Sequence, residues 1–177
     1  MEQAYLLPDE IVHLAERVVL ENRALGRQVA VAESCTGGLV AAALTEIAGS
    51  SDVLERGFVT YSNAAKMEDL HVASDLIETF GAVSVACVWA MAQGALLRSK
   101  ADIAVAISGV AGPGGGTPMK PVGTVVFARA VRGQARHEDT ELRQFTASGR
   151  AGVRREATLC ALQLLLPRES DFPSRSA

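Results

Sequence analysis

The sequence predicts one α/β domain, a three-layer α/β/α sandwich with a mixed, mostly parallel sheet. Short apolar runs typical of strands alternate with segments in which apolar residues recur at helical spacing, and this alternation favours a sheet covered by helices on both faces. The length of 177 residues suits one domain. Because 49% of the residues are hydrophobic but only 5% are aromatic, the core must be built mainly from Ala, Val, Leu and Ile. We expect the domain to span residues 1–166, and the Ser-, Pro- and charge-rich residues 167–177 to form a disordered tail.

The first half of the chain alternates helices and strands. Pro8 and Asp9 begin the first predicted helix, which carries an apolar stripe and ends near Gly26. A β-branched run follows as a strand, and the Ser, Thr and Gly cluster after it leads into a second helix. The elements predicted here are helix 9–26, strand 28–32, helix 39–47, strand 53–61 and helices 63–70 and 75–80.

The second half is predicted to complete the sheet. Ser84 is placed to cap a helix that continues to Leu96. The continuous apolar run 103–107 predicts a central strand covered on both faces, whereas the glycines and prolines of 109–123 exclude regular structure there. Residues 123–131 and 135–145 are predicted to pair as a hairpin whose polar second strand lies at a sheet edge, and a last helix is predicted at 149–165.

Composition excludes several classes of function. The formal net charge is −3 with both signs mixed along the chain, which argues against a nucleic-acid or anionic-membrane surface. The first residues carry acids where a secretory signal carries bases, and no run reaches the roughly 18 apolar residues of a membrane span. Three widely spaced cysteines are typical of reduced thiols. We therefore expect a cytoplasmic protein.

The first candidate site follows the first predicted strand, because ligands of open α/β sheets bind at the carboxyl ends of strands. It consists of six residues directly before a helix: Glu33, Ser34, Cys35, Thr36, Gly37 and Gly38. Free N–H groups at a helix start bind phosphate or stabilise an oxyanion. Simple capping of the helix by Ser34 or Thr36 explains the same residues equally well.

Two more candidates follow later strands. Tyr61 and Lys66 come after the second strand and can reach a nucleophile across the sheet edge, although a solvated lysine is the plainer interpretation. Ser108 begins a glycine-rich loop with Gly112 and Gly115, which matches neither a phosphate loop nor a dinucleotide fingerprint. At the start of the last helix, three basic residues either grip a phosphate or are solvated: Arg150, Arg154 and Arg155.

Other catalytic arrangements are less favoured. The three histidines have no ligand spacing to one another or to the cysteines, so the sequence predicts no metal site. They also provide no obvious member of a Ser-His-Asp triad. Cys35 is an alternative nucleophile, but no histidine stands out to activate it.

Four segments together resemble the competence/damage-inducible CinA C-terminal domain family: ESCTGG at 33, YSNAAK at 61, SGVAGPGGG at 108 and KPVGTV at 120. GAVS at 81 and MAQG at 91 are also similar to that family. The resemblance runs from about Val29 to Leu165, and several motifs in one order are far more specific than any single one.

The resemblance implies an activity. The family includes amidases that hydrolyse nicotinamide mononucleotide to nicotinate mononucleotide and ammonia. The resemblance implies that Ser34 is the nucleophile and that Lys66 and Tyr61 move its proton. It also implies a small nucleotide as partner, no metal or organic cofactor, and a homodimer or higher homo-oligomer. The residues expected to bind substrate are Thr36, Gly37, Gly38, Ser108, Gly112, Gly115, Arg150 and Arg154. Some family members carry a further N-terminal domain, for which 177 residues are too few.

The chain departs from the family pattern at a few positions. Ser108 stands where Thr is common, Ala48 stands where Pro is usual before GSS, and Arg56 begins a stretch where two glycines often occur. These changes leave the proposed catalytic residues in place but leave substrate preference open. The rival hypotheses are a non-catalytic nucleotide-binding regulator in competence or DNA-damage responses, and an amidase of another small substrate.

Overall fold

The computed structural model describes residues 5–134, 139–146 and 149–171. The helices are α1 (Asp9–Ala24), α2 (Leu39–Thr45), α3 (Asn63–Leu70), α4 (Ser74–Phe80), α5 (Val85–Leu97) and α6 (Gly149–Leu165). The strands are β1 (Val29–Glu33), β2 (Leu54–Val59), β3 (Ile103–Gly109), β4 (Thr124–Val131) and β5 (Thr140–Gln144). Every predicted helix and strand is present, with ends that differ by a few residues.

In the described part of the chain the strands form one sheet in the order β2-β1-β3-β4-β5. β1 pairs parallel with both β2 and β3, whereas β4 is antiparallel to its two neighbours. Four strands therefore run in one direction and only β4 runs against them. This confirms the predicted mixed sheet, with β1 and β3 at its centre and β5 at an edge.

The two faces of the sheet carry side chains of different size. Helices α1, α2 and α6 cover a face of branched and aromatic residues: Val29, Val31, Ile103, Val105, Ile107, Val125 and Phe127. The opposite face, under α3, α4 and α5, consists largely of alanine: Ala30, Ala32, Ala104, Ala106, Ala128 and Ala130. Because alanine adds little height to a sheet, α5 can lie close to the strands.

Close packing continues between α5 and α3. A Cβ added to Gly94 in α5 would lie 2.0 Å from the carbonyl oxygen of Leu70, the last residue of α3. Only glycine fits there, which explains the glycine of the MAQG segment. The contact fixes the height of α3, the helix that begins with Asn63 and carries Lys66.

The chain end differs from the prediction of a disordered tail. Residues 169–171 form a 3₁₀ turn, and the Asp171 carboxylate binds the buried Arg129 guanidinium at 2.7 Å and Arg27 at 3.0 Å. A buried arginine needs a counter-charge, so the segment after Pro167 is held in place. The expectation of a disordered tail is wrong for residues 167–171, and the rest of that tail lies outside the described residues. Residues 135–138, the predicted start of the second hairpin strand, also lie outside them.

Two further expectations concern the whole chain. The cysteines Cys35, Cys87 and Cys160 are free thiols and are buried. Within the described residues, no helix combines the length and the apolar character needed to cross a bilayer.

We expect Gly94→Ala to lower the free energy of unfolding by roughly 3 kcal/mol, because the new methyl group overlaps the backbone of Leu70. At an uncrowded helix position the same change raises the free energy of unfolding by about 1 kcal/mol, so a decrease identifies the close contact. Urea denaturation measures the effect. Gly114→Ala is the control, since a Cβ there meets open space; equal stability of both variants and the wild type would contradict the close contact.

Candidate active site

Ser34 lies at the carboxyl edge of the sheet, directly after β1. Its backbone N–H donates to the carbonyl oxygen of Ile107 in β3 at 3.0 Å, so the pairing of the two central strands continues through this residue. The side chain is 8% exposed. A hydroxyl in this position faces the region where open α/β sheets bind ligands.

Lys66 reaches Ser34 from helix α3. Ser62 caps this helix by accepting a hydrogen bond from the N–H of Ala65 at 3.0 Å, which starts the helix just after β2. Lys66 is 1% exposed, and its Nζ lies 3.1 Å from Ser34 Oγ. The same Nζ donates to the carbonyl oxygens of Thr60 at 2.8 Å and Tyr61 at 3.4 Å.

The surroundings of Lys66 disfavour its charged form. Burial lowers the pKa of this amine, a change that the neighbouring thiols of Cys87 and Cys35 oppose. Among the described residues, no carboxylate forms an ion pair with it. A buried lysine without a counter-charge is suited to act as a base.

The start of α2 is occupied by a carboxylate. Glu33 is fully buried, and its side chain accepts hydrogen bonds from the N–H groups of Gly38 at 3.0 Å, Val40 at 3.1 Å and Ala41 at 2.9 Å. A negative group at a helix N-terminus is stabilised by the dipole and by these donors. These three N–H groups, which the sequence analysis expected to be free, are therefore occupied by Glu33. Neither Ser34 nor Thr36 caps the helix with its side chain.

Arg154 holds the same loop from the other side. Its Nε donates to the carbonyl oxygen of Cys35 at 3.1 Å, and its Nη2 donates to that of Thr36 at 3.0 Å. Glu33 thus binds donors after the serine and Arg154 binds acceptors beside it. The loop that carries Ser34 is fixed by charged groups at both ends.

A cavity of about 210 Å³ opens over Ser34 and Lys66. Its walls come from the loop after β1, the start of α3, the segment before α5, the end of β3 and the start of α6. The lining residues are Ser34, Cys35, Tyr61, Asn63, Lys66, Ala82, Val83, Ser108, Gly109, Ala111 and Arg150. None of these residues is acidic and Arg150 carries a positive charge, which suits an anionic ligand.

Arg150 joins two walls of this cavity. Its guanidinium donates to the carbonyl oxygen of Gly112 at 2.8 Å and to the hydroxyl of Tyr61 at 3.0 Å. Arg150 is exposed, and both acceptors are neutral. An anion entering the cavity would offer this arginine a stronger partner than either of them.

The structure brings together about half of the predicted site residues. Ser34, Tyr61, Lys66, Ser108 and Arg150 line one cavity, and Gly112 contacts it through Arg150. The others do not line the cavity: Thr36, Gly37, Gly38, Gly115 and Arg154.

Sequence analysis missed the apolar wall that Ala82 and Val83 supply. It placed Glu33 in the first candidate site but not its role, which is to organise the loop. An acidic residue at the end of an apolar strand, shortly before a helix start, is a signal that could have identified Glu33, because a helix N-terminus attracts a carboxylate.

Cys35 is poorly suited to be the nucleophile. Burial raises the pKa of its thiol to about 11, so the reactive thiolate is scarce at neutral pH. No group of three or more His, Cys, Asp or Glu side chains able to hold a metal ion occurs in the described segments. The serine and the lysine are the reactive groups that the geometry offers.

Comparison with known proteins places this site in a family. Residues 11–168 match the model of the CinA C-terminal domain. The nicotinamide-nucleotide amidohydrolase PncC of Escherichia coli (strain K12) is 51% identical over 156 residues, which cover 88% of this chain and 93% of that protein. A CinA-like protein of Mycolicibacterium vanbaalenii is 54% identical over 79% of this chain and 32% of its own length. The crystal structure of competence/damage inducible protein CihA from Agrobacterium tumefaciens superposes with a TM-score of 0.85 at 46% identity, over 92% of this chain and 97% of that one. The chain belongs to the CinA C-terminal domain family.

Proposed function

We propose that this protein hydrolyses the carboxamide of nicotinamide mononucleotide to nicotinate mononucleotide and ammonia. The observation that carries the proposal is the 3.1 Å contact between Ser34 Oγ and the buried Lys66 Nζ inside a cavity. The name of the Escherichia coli relative, at 51% identity, supports the choice of substrate.

A neutral Lys66 fits its three contacts. Its two N–H groups donate to the Thr60 and Tyr61 carbonyl oxygens, which leaves the lone pair to accept the hydroxyl proton of Ser34. A free lysine titrates near about 10.4 and is charged at neutral pH, so Lys66 acts as a base only if its pKa lies lower. Burial and the cationic pyridinium ring of the substrate both act in that direction.

The reaction then takes two stages. Ser34 Oγ attacks the carboxamide carbon while its proton passes to Lys66, and the C–N bond breaks as that proton is delivered to the departing ammonia. Water next attacks the acyl-enzyme, gives its proton to Lys66 and releases nicotinate mononucleotide as Ser34 regains its proton. The hydroxyl of Tyr61, which contacts Arg150, is a second proposed carrier of the proton to ammonia.

The two ends of the substrate match different walls of the cavity. We assign the pyridine ring to the apolar wall of Ala82 and Val83, and the developing oxyanion to the wall formed by Ser108, Gly109 and Ala111. The phosphate is assigned to Arg150, because Glu33 occupies the α2 start and Arg154 is bound to the nucleophile loop. The reaction needs no cofactor, and a cytoplasmic location and a homo-oligomeric state remain predictions from the sequence.

We expect Ser34→Ala to lower ammonia release from nicotinamide mononucleotide by at least about 10³-fold, because the nucleophile is lost. Cys35→Ala is the matched control and should keep most of the activity. Binding of the mononucleotide, measured by calorimetry, should survive in both variants. Full activity of Ser34→Ala would refute the assignment, and a wild type that binds the nucleotide without turnover would favour the regulatory hypothesis.

We expect kcat/KM to rise with pH through an apparent pKa below that of an ordinary lysine. Burial lowers the pKa of Lys66, so the amine becomes neutral, and therefore a base, at lower pH than a free lysine does. Ammonia release measured between about pH 5 and 10 tests this. Lys66→Arg, which stays charged over that range, should be inactive throughout; appreciable activity of that variant would refute the role of a neutral amine.

We expect Arg150→Met to reduce kcat/KM for nicotinamide mononucleotide about 10- to 100-fold, the value of a lost hydrogen bond to a charged group. For nicotinamide riboside, which lacks the phosphate, the same substitution should reduce kcat/KM far less. Arg155→Met is the control on the same helix, since Arg155 binds Glu10 on the surface. Equal losses for both substrates would show that Arg150 does not recognise the phosphate.

A further inference from the structure

Two segments of the family pattern, GAVS at 81 and KPVGTV at 120, meet in the structure. The Nζ of Lys120 donates to the carbonyl oxygen of Phe80, the last residue of α4, at 2.8 Å. Carbonyl groups at the C-terminal end of a helix lack intrahelical donors and attract cations. A Cβ added to Gly81 would lie 3.2 Å from the same Nζ, so the glycine that begins GAVS leaves room for the lysine. Lys120 therefore joins two segments that are 40 positions apart.

The segment after α4 forms the apolar wall of the active-site cavity through Ala82 and Val83. In the part of the chain that the structure describes, the peptide groups of these two residues form no hydrogen bond with another backbone group. The Ser84 hydroxyl donates to the carbonyl oxygen of Gly81 at 2.8 Å, which closes the turn on itself. The bond from Lys120 ties the same turn to a distant part of the chain. Apart from the packing of Val83 against the core under α5, the position of the wall therefore depends on this lysine.

Lys120 is itself fixed by the glycine-rich loop that carries it. Lys120 and Thr117 exchange backbone hydrogen bonds of 2.9 and 3.1 Å, so the residues before the lysine form a closed turn. At the base of the loop, the carbonyl oxygen of Val110 accepts from the N–H of Gly123 at 2.8 Å. Ala111, the next residue, lines the cavity at the wall assigned to the oxyanion. The loop thus begins at one wall of the cavity and, through Lys120, is fastened to another.

We propose that Lys120 is a positioning residue that fixes the apolar wall, formed by Ala82 and Val83, relative to the wall assigned to the oxyanion. The inference rests on the proposed function, because it concerns where the pyridine ring of the mononucleotide is held. None of the ion pairs among the described residues involves Lys120, so the carbonyl oxygen of Phe80 is the partner of its charge. A hydrogen bond from a charged donor changes an equilibrium constant by roughly 10- to 100-fold. Its loss would let the wall move away from the ring without removing a contact to the phosphate.

Removal of the ammonium group tests this role. Lys120→Met keeps a side chain of similar length that neither donates a hydrogen bond nor carries a charge. We expect it to raise the Kd of nicotinate mononucleotide, the proposed product, at least about 10-fold, because the ring loses its fixed wall. The Kd of ribose 5-phosphate, which has the phosphate but no ring, should stay unchanged. Arg150→Met should instead weaken both ligands, since that arginine is assigned to the phosphate. Calorimetry measures each Kd.

Lys100→Met is the matched control. Lys100 is exposed and lies between α5 and β3, at the end of the sheet away from the cavity, so this variant should keep both affinities. Lys120→Arg restores a charged donor and should bind nicotinate mononucleotide more tightly than Lys120→Met does. Thermal unfolding verifies that each variant is folded.

Two results with Lys120→Met would overturn the inference. Equal loss of both ligands would show that the lysine contacts the phosphate or supports the whole site, and loss of neither would show that the wall does not depend on it. Because binding is measured without turnover, a wild type that binds nicotinate mononucleotide but releases no ammonia would refute the proposed function alone.

Discussion

The proposed chemistry of this domain depends on the hydrogen bond between Ser34 and Lys66, two residues that are 32 positions apart. The bond is useful only because Lys66 is buried, since an exposed amine would stay charged and could not take a proton. Burial is tolerated because the carbonyl oxygens of Thr60 and Tyr61 satisfy the remaining amine protons. These carbonyl groups come from the link between β2 and α3, so the turn that starts the helix also prepares the base.

The architecture serves this contact by controlling distances. The alanine face lets α5 lie close to the sheet, and Gly94 lets α3 lie close to α5. Lys66 therefore approaches the end of β1 at a height set by close backbone packing.

The loop after β1 looks like a phosphate-binding turn but is used differently. Its glycines precede a helix, yet Glu33 binds the helix N–H groups and Arg154 binds the loop carbonyl oxygens. Internal charges have taken the positions that a ligand would occupy. The cation left for an anionic substrate is Arg150, whose present partners in the structure, Gly112 and Tyr61, are neutral. In the proposed mechanism, rigid support of the nucleophile and recognition of the substrate are thus carried out by different residues.

Local sequence alone determined the elements, the three layers, the edge position of β5 and the segments that meet at the site, because periodicity and caps depend on neighbouring residues. Motif order also indicated Ser34, Tyr61 and Lys66. What only the tertiary structure decided is which polar groups satisfy one another: Glu33 at the helix start, Arg154 on the loop, and Asp171 on Arg129. Pairing of charges depends on distances between segments far apart in the chain, and no local pattern records those distances.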